Sequence, residues 1–166
     1  MKAISLIGFM GAGKTFIGEK LAEKNGFQFF DVDNEIVKLF GSISEIFRTE
    51  GELYFRQIER DTFKRLISDD TVISTGGGLP TKNFNIQYLK LTECVFLDAP
   101  FETCYSRIKD DVTRPLVMKS DIEDLKNLYA KRLKMYSKVC DFTVDASLPI
   151  DEIISKIEDW YFNRKD

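Results

Sequence analysis

The run GFMGAGKT at residues 8–15 constrains the fold more than any other feature of the sequence. It matches the pattern G-x-x-x-x-G-K-[ST] in full. An apolar run at residues 2–7 precedes it and predicts a buried strand, and residues 14–24 carry apolar side chains at helical spacing. A strand, a glycine loop and a helix in this order predict a phosphate-binding loop, where backbone N–H groups and the helix N-terminus surround phosphate oxygens.

Each position of this loop has an expected task. Lys14 is expected to reach the β- and γ-phosphates of a nucleotide, and Thr15 to offer its hydroxyl to Mg²⁺. Phe16 stands where many such loops carry a second hydroxyl, so we expect weaker contact with the α-phosphate. The nucleotide is therefore expected to contact six consecutive residues: Gly11, Ala12, Gly13, Lys14, Thr15 and Phe16.

Composition narrows the possible chemistry. The 166 residues predict one domain, 1–166, without internal repeats or linkers, and a net charge of −3 argues against a nucleic-acid partner. The chain has no histidine, so a general base must be a carboxylate, Lys, Tyr or Cys. The three cysteines form no CxxC pair, which favours a reducing, cytoplasmic compartment. No apolar run reaches the ~20 residues of a membrane span.

Five short apolar segments alternate with helical patterns along the chain. This alternation predicts an α/β protein with a parallel sheet covered on both faces. The polar, proline-containing stretch 110–120 is expected to be a loop. The expected strands are 2–7, 27–31, 71–75, 93–97 and 141–145. The expected helices are 14–24, 34–40, 42–49, 52–67, 82–90, 101–109, 121–139 and a last helix through 150–160.

Two carboxylates end the second expected strand. Asp31 and Asp33 are two residues apart, so in a strand they would share a face and could both look into the site. One would hold Mg²⁺ through water, and the other would accept a proton from an attacking hydroxyl. Alternatively, both cap the helix near Asn34. Asp98 could end a second nucleotide-site strand, but we favour a helix-capping role for it.

Several arginines and glycines suggest an anionic substrate. Arg56 lies within GELYFRQIE, where an ion pair with Glu52 or Glu59 is the alternative to a ligand. Arg132 lies in the middle of an apolar helical stripe, where it needs an anion or a buried ion pair. The glycines at 76–78 directly follow a strand and permit close approach of a ligand. Arg107 and Arg114 flank the 110–120 stretch, which is either a phosphoryl-transfer lid or a simple surface loop.

Taken together, these segments resemble the shikimate kinase family over nearly the whole chain. The resemblance depends on GFMGAGKT, the Asp31-x-Asp33 pair, GExxFRxxE, the triple glycine, TRPL at 113–116 and AKR at 130–132. It implies the three-layer α/β/α P-loop kinase fold of nucleoside monophosphate kinases, with a five-stranded parallel sheet of order 2-3-1-4-5. It also implies a substrate-binding subdomain at about 32–62 and a lid at about 110–120.

The resemblance also implies a reaction. The γ-phosphoryl group of ATP would be transferred, with Mg²⁺, to the 3-hydroxyl of shikimate, giving shikimate 3-phosphate and ADP on the route to chorismate and aromatic amino acids. The expected partners are this small molecule alone, with no nucleic acid and no membrane, and the expected state is a cytoplasmic monomer.

Roles are carried over from the family only onto matching positions. Catalysis is implied for Lys14, Asp33 and Arg114, and Mg²⁺ binding for Thr15 and Asp31. Arg107 would stack on adenine, with the loop before Pro149 closing the other side, and Arg114 would be the lid arginine. The two arginines of the substrate side would bind the shikimate carboxylate, Asp33 the acceptor hydroxyl, and Gly77 would lie near the γ-phosphate. The substrate side as a whole comprises Asp33, Arg56, Gly77, Gly78 and Arg132.

Two other functions are alternatives on the same fold. A kinase of gluconate or of a nucleoside monophosphate would not be expected to carry GExxFRxxE together with the triple glycine. A non-catalytic nucleotide-binding regulator should have lost Lys14, Asp33 or Arg114, and all three are present. The departures from the family pattern are Phe16 and the Asp110-Asp111 pair of the lid, which affect nucleotide affinity and lid closure rather than the choice of substrate.

Overall fold

A five-stranded parallel sheet forms the centre of the computed structural model, which describes residues 1–163 of the chain. The strand order is β2-β3-β1-β4-β5, and every neighbouring pair is parallel. This confirms the order implied by the family resemblance. The strands are β1 (Ile4–Ile7), β2 (Gln28–Asp31), β3 (Thr71–Ser74), β4 (Glu93–Asp98) and β5 (Phe142–Asp145).

Eight α-helices and one 3-10 turn, Leu79–Thr81, connect these strands within the described residues. Residues 164–166, which the expected single domain 1–166 includes, lie outside the described part of the chain. The helices are α1 (Lys14–Asn25), α2 (Val32–Phe40), α3 (Ile43–Leu66), α4 (Asn83–Leu89), α5 (Phe101–Ile108), α6 (Pro115–Lys119), α7 (Ile122–Val139) and α8 (Ile150–Phe162).

The hydrophobic core lies between the sheet and the helices that cover it. The short strands β1 and β3 are buried at every position, which explains why they read as continuous apolar runs rather than alternating patterns. Helices α1 and α8 pack against each other and against the sheet, while α7 packs against β4 and the 3-10 turn. The sheet is thus the middle layer, as the alternation of strands and helices predicts.

Successive strands are added first on one side of β1 and then on the other. After β1 the chain builds β2 and β3 on one side, and it then crosses to β4 and β5 on the other. In open parallel sheets, ligands bind beyond the carboxyl ends of the strands at such a point. The glycine loop 8–13 follows β1 and the triple glycine follows β3, so both reach this edge side by side.

Gly51 divides α3 into two helical segments. Its backbone, at φ 83° and ψ 171°, is not helical. The sequence predicts this division, because Gly51 separates the expected helices 42–49 and 52–67. Only glycine adopts such angles without strain. The bend sets the direction of the second segment, which carries Arg56 and Glu59.

Two local expectations are wrong. The 110–120 stretch is not a loop throughout, because Pro115 starts the short helix α6. Proline is well tolerated in a first helical turn, where its missing N–H costs nothing. The second strand ends at Asp31 as expected, but Asp33 is not part of it, because the Asp31 carboxylate accepts the Asn34 N–H and α2 begins at Val32.

No helix among residues 1–163 has both the length and the apolar character needed to cross a bilayer.

We predict that Gly51→Asn destabilises the protein by about 1–3 kcal/mol through backbone strain alone. A Cβ at position 51 meets no atom within 4 Å, so steric contact contributes nothing. The matched control is Gly26→Asn, which also faces open space but has left-handed helical angles, φ 69° and ψ 25°. Asparagine tolerates those angles, so the control should cost less than about 1 kcal/mol. Urea unfolding of both variants measures the difference, and equal costs would contradict the strain at Gly51.

Candidate active site

Two adjoining cavities open at the carboxyl edge of the sheet. One, of about 260 Å³, lies over the glycine loop, and the other, of about 510 Å³, lies between α2, α3, α7 and the triple glycine. Their boundary is where a group could pass from a ligand in one to a ligand in the other. Seven residues line both cavities: Met10, Thr15, Asp31, Asp33, Gly76, Gly77 and Arg114.

Lys14 is held in the first cavity by the loop itself. Its Nζ donates to the carbonyl oxygens of Gly8, at 2.8 Å, and Phe9, at 3.0 Å. Burial lowers the pKa of Lys14 to about 8, and the nearby positive charge of Arg114 adds to the effect. Asp33 and Asp31 oppose this shift. A phosphate chain beside the ammonium would favour its charged form, so the site is suited to an anion.

Thr15 and Asp31 form a pair that fits Mg²⁺. The Thr15 hydroxyl donates to the Asp31 carboxylate at 2.6 Å, directly beside the phosphate loop. Within residues 1–163, no cluster of three or more Asp, Glu, Cys or His side chains could bind a metal ion unaided. Magnesium in nucleotide sites needs no such cluster, since phosphate oxygens and water supply most of its ligands. A hydroxyl and one carboxylate at this position therefore match the requirement.

Asp33 reaches the site from a helix and not from a strand. It lies in the first turn of α2 and lines both cavities together with Asp31. The expectation that both carboxylates face the site is met, but the argument from strand alternation does not apply. The alternative, in which both cap a helix, holds for Asp31 only. Burial raises the pKa of Asp33, and the Asp31 charge raises it further, while Lys14, Arg114 and Arg56 oppose the shift.

Arg56 and Glu59 form a buried ion pair in the second cavity. The Arg56 Nη1 donates to Glu59 Oε1 at 2.8 Å, and the two side chains are 8% and 1% exposed. The more exposed Glu52 contacts Arg56 Nε at 3.4 Å. Burial raises the pKa of Glu59 to about 7, although Arg56 opposes the shift. Both readings of Arg56 from the sequence therefore apply, because it has ion-pair partners and also lines a ligand cavity.

Gly78 allows the Arg56 guanidinium to lie against the main chain. A Cβ added at Gly78 would come within 3 Å of three guanidinium atoms, so a side chain at this position would displace Arg56. Gly76 is similarly close, with its ideal Cβ 2.9 Å from Glu59 Oε2 and 3.1 Å from Asp33 Oδ1. The triple glycine thus makes room for the charged side chains of the second cavity.

Arg132 enters the same cavity from α7. It is 7% exposed, and no carboxylate of residues 1–163 forms an ion pair with it. Burial lowers its pKa, and Tyr136 and Glu59 act in the opposite direction. Of the two interpretations from the sequence, the buried ion pair is therefore wrong, and the one in which Arg132 contacts an anionic ligand stays a prediction.

Arg114 lies at the start of α6 and faces both cavities. Its Nε donates to Asp111 Oδ2 at 2.8 Å. The other Asp111 oxygen accepts hydrogen bonds from the Thr113 N–H and hydroxyl. The Asp110-Asp111 departure noted in the sequence thus includes the residue that holds this arginine in place.

Of four other residues expected to contact the nucleotide, two line the first cavity and two line neither cavity. Arg107 lines the first cavity and donates to the Gly11 carbonyl at 2.7 Å. Phe16 also lines it and is half exposed. Ala12 is buried and lines neither cavity, and Pro149, at the start of α8, lines neither as well. Asp98 does not cap α5, because the N-cap residue of this helix is Pro100 and no side chain caps it, and Asp98 lines neither cavity.

Three kinds of residue in or beside the second cavity were not predicted from the sequence. Glu59 lines the cavity, although the sequence indicates only an ion-pair partner. Tyr136 lies behind the cavity lining, and its hydroxyl donates to the Gly77 carbonyl at 2.5 Å. Phe47 and Phe55 form an apolar wall with ring centroids 4.8 Å apart. The sequence offers a signal for Glu59 and Tyr136, since each lies one helical turn from an arginine of the site. It offers none for Phe47 and Phe55, which nothing distinguishes from the other twelve of the fourteen phenylalanines.

Comparisons with known proteins agree with this geometry. A family model for shikimate kinase matches residues 10–161. A shikimate kinase from Persephonella marina is 45% identical over 141 residues, which are 83% of this chain and 85% of that protein. One from Aquifex aeolicus is 41% identical over 157 residues, covering 93% and 92% of the two chains.

A solved structure gives the same result in three dimensions. The shikimate kinase from Acinetobacter baumannii, in complex with shikimate, superimposes with a TM-score of 0.91 at 32% identity. The match covers 99% of this chain and 95% of that one. The family model, the relatives and this structure extend over both cavities and over the elements that carry them, and the chain therefore belongs to the shikimate kinase family.

Proposed function

We propose that the boundary between the two cavities is the place of phosphoryl transfer, with ATP over the glycine loop and shikimate between α2, α3 and α7. As a member of its family, the chain is an ATP-dependent kinase that transfers the γ-phosphoryl group of ATP to the 3-hydroxyl of shikimate. The observation that carries the proposed placement is that Asp33, Gly77 and Arg114 line both cavities.

The two arginines of the second cavity bind the substrate carboxylate in this proposal. Arg56 and Arg132 approach the cavity from different helices, and both are almost fully buried. A carboxylate between them would form charge-assisted hydrogen bonds with both guanidinium groups. The Phe47–Phe55 wall would pack against the carbon ring of the substrate. Gly77 and Gly78 would provide backbone contact without a side chain in the way.

Asp33 orients the acceptor hydroxyl and accepts its proton. With no histidine in the chain, a carboxylate at the boundary is the base that the site offers. The raised pKa of Asp33 makes it a better proton acceptor than an exposed aspartate. Lys14 and Arg114, which both line the first cavity, stabilise the negative charge on the transferred group. When bound, Mg²⁺ neutralises phosphate charge, and Thr15 and Asp31 would hold it.

The domain organisation and environment extend the proposal. Residues 32–62, approximately, act as the substrate-binding subdomain, which is supported by Arg56 and Glu59 in the second cavity. Residues 110–120, approximately, act as a lid, which is supported by Arg114 at the same cavity. Arg107 would contact adenine, with the loop before Pro149 opposite.

We place the enzyme in the cytoplasm, since its three cysteines are free. We expect a monomer without nucleic-acid or membrane partners, which light scattering can test.

The assay that tests the proposed substrate measures ADP release with ATP and Mg²⁺. We expect release with shikimate and none above background with gluconate, AMP or CMP, because only shikimate offers a ring carboxylate to both arginines. Release with another acceptor would contradict the assignment of the second cavity. Nucleotide binding without release for any acceptor would favour a regulator.

We predict that Asp33→Asn lowers kcat by at least about 100-fold, because an amide cannot accept the hydroxyl proton. ATP binding, measured by calorimetry, should change less than about twofold, since Lys14 and the loop remain. The control is Asp61→Asn at a position of α3 whose side chain is 64% exposed, which should leave kcat unchanged. A near-normal kcat for Asp33→Asn would contradict the role given to Asp33.

We predict that Glu59 makes stability fall as pH rises. The ordinary glutamate pKa is 4.5 and burial raises that of Glu59 to about 7, so between these values the unfolded chain loses the proton first. Relative to Glu59→Gln, the wild type should therefore lose unfolding free energy between about pH 5 and about pH 8. Urea unfolding at both pH values measures this change.

The control for this pH dependence is Glu123→Gln, which removes a glutamate whose side chain is 73% exposed. It should follow the wild-type profile. A constant difference between wild type and Glu59→Gln over the whole range would mean that Glu59 does not take up a proton on folding.

A further inference from the structure

Tyr136 is a buried polar side chain that lines neither cavity, although its hydroxyl is hydrogen-bonded to a residue that lines both. It is 0% exposed, and its ring packs 5.3 Å from that of Phe96. A phenylalanine would satisfy this packing equally well. The hydroxyl therefore needs a separate explanation, because a buried polar group is costly unless it is hydrogen-bonded.

The first contact of the hydroxyl is with the triple glycine. It donates to the Gly77 carbonyl at 2.5 Å. Three successive glycines have many accessible backbone conformations, so a loop built from them needs an external anchor to keep one. The next contacts in this loop are short-range, with the Leu79 N–H donating to the Gly76 carbonyl and the Thr81 hydroxyl to the Gly78 carbonyl. Tyr136 is the contact that ties the middle of the loop to α7.

This anchor also fixes the neighbouring N–H group. The Gly77 carbonyl and the Gly78 N–H belong to one planar trans peptide, in which they point in opposite directions. Since the carbonyl points to Tyr136, the Gly78 N–H points away from it. Within residues 1–163 this N–H donates to no protein acceptor, and Gly78 lines the substrate cavity. Its direction is thus set by Tyr136, and it is free for a ligand.

The Arg132 guanidinium, one helical turn earlier on α7, lies beside the hydroxyl. An ideal Cβ on Gly77 would lie 3.2 Å from Arg132 Nη1 and 3.4 Å from the Tyr136 hydroxyl oxygen, so both groups lie against Gly77. Tyr136 also opposes the lowering of the Arg132 pKa by burial, so its hydroxyl favours the charged guanidinium at this place.

We propose that Tyr136 is a positioning residue for substrate binding, whose hydroxyl holds the Gly77–Gly78 peptide and the Arg132 guanidinium in the orientation that receives the anionic substrate. It touches neither substrate nor nucleotide and acts through these two neighbours. The inference rests on the proposed placement of shikimate in the second cavity, and it adds a residue to that site rather than a new ligand.

The test is Tyr136→Phe, which removes one oxygen atom. The KM for shikimate should rise about tenfold, as expected for one lost buried hydrogen bond near a charged group. The KM for ATP and kcat should change less than about twofold, because the glycine loop and Asp33 are untouched. The matched control is Tyr161→Phe, since the Tyr161 hydroxyl also donates to a backbone carbonyl, that of Lys2, at 2.5 Å outside the site. This control should leave all three constants unchanged.

A double-mutant cycle separates positioning from general support of the fold. In an Arg132→Ala background, Tyr136→Phe should raise the shikimate KM less than about threefold, because one of the two groups it holds is gone. Tyr161→Phe should stay without effect in either background. An equal effect of Tyr136→Phe in both backgrounds, an equal rise of both KM values, or no rise in the shikimate KM would overturn the proposal.

Glycine-selective ¹⁵N labelling gives a second readout that does not depend on turnover. In the wild type, shikimate without nucleotide should shift the Gly78 amide resonance, and in Tyr136→Phe this shift should be reduced by at least about half. An identical shift in both proteins would overturn the proposed fixing of the peptide. If the wild type itself releases no ADP with shikimate, the proposed function fails first, so the two failures are distinguishable.

Discussion

The buried ion pair between Arg56 and Glu59 is the constraint on which the substrate half of the site depends. The Arg56 guanidinium is almost fully buried, and Glu59 supplies a compensating carboxylate from one turn further along the same helix. The triple glycine lies directly against this pair. A Cβ added at Gly76 would lie within 3 Å of Glu59, and one added at Gly78 would lie within 3 Å of Arg56. A side chain at Gly76 or Gly78 would therefore displace the pair that α3 carries.

The topology of the sheet brings this unit to the phosphate loop. Strands β1 and β3 are hydrogen-bonded neighbours, so the loops that follow them lie side by side although more than sixty residues separate them. The nucleotide half of the site comes from the first loop and the substrate half from the second. Gly77 lines both cavities for this reason, and the Tyr136 hydroxyl is hydrogen-bonded to its carbonyl from outside either cavity.

The sequence predicted most of this arrangement because its strongest signals are local. The phosphate loop, the strand order implied by the resemblance and the division of α3 at Gly51 are all confirmed. The argument that brought Asp33 into the site is wrong, since Asp31 caps α2 and Asp33 lies in the first turn of that helix and not on a strand. Side-chain contacts between distant segments could not be predicted, because nothing near Tyr136 in the sequence indicates that its hydroxyl donates to the Gly77 carbonyl. The roles of the individual residues stay predictions until their variants are assayed.

The charges of the site explain how a protein of net charge −3 can bind two anions. Five cations line the two cavities, namely Lys14, Arg56, Arg107, Arg114 and Arg132, against three carboxylates, Asp31, Asp33 and Glu59. Burial lowers the pKa of Lys14 and raises the pKa of Asp33 and of Glu59, so each buried group is pushed towards its neutral form. A phosphate chain beside Lys14 reverses the first shift, since a nearby anion favours the ammonium. The excess of positive charge is thus confined to the cavities, where the ligands themselves complete the electrostatic balance.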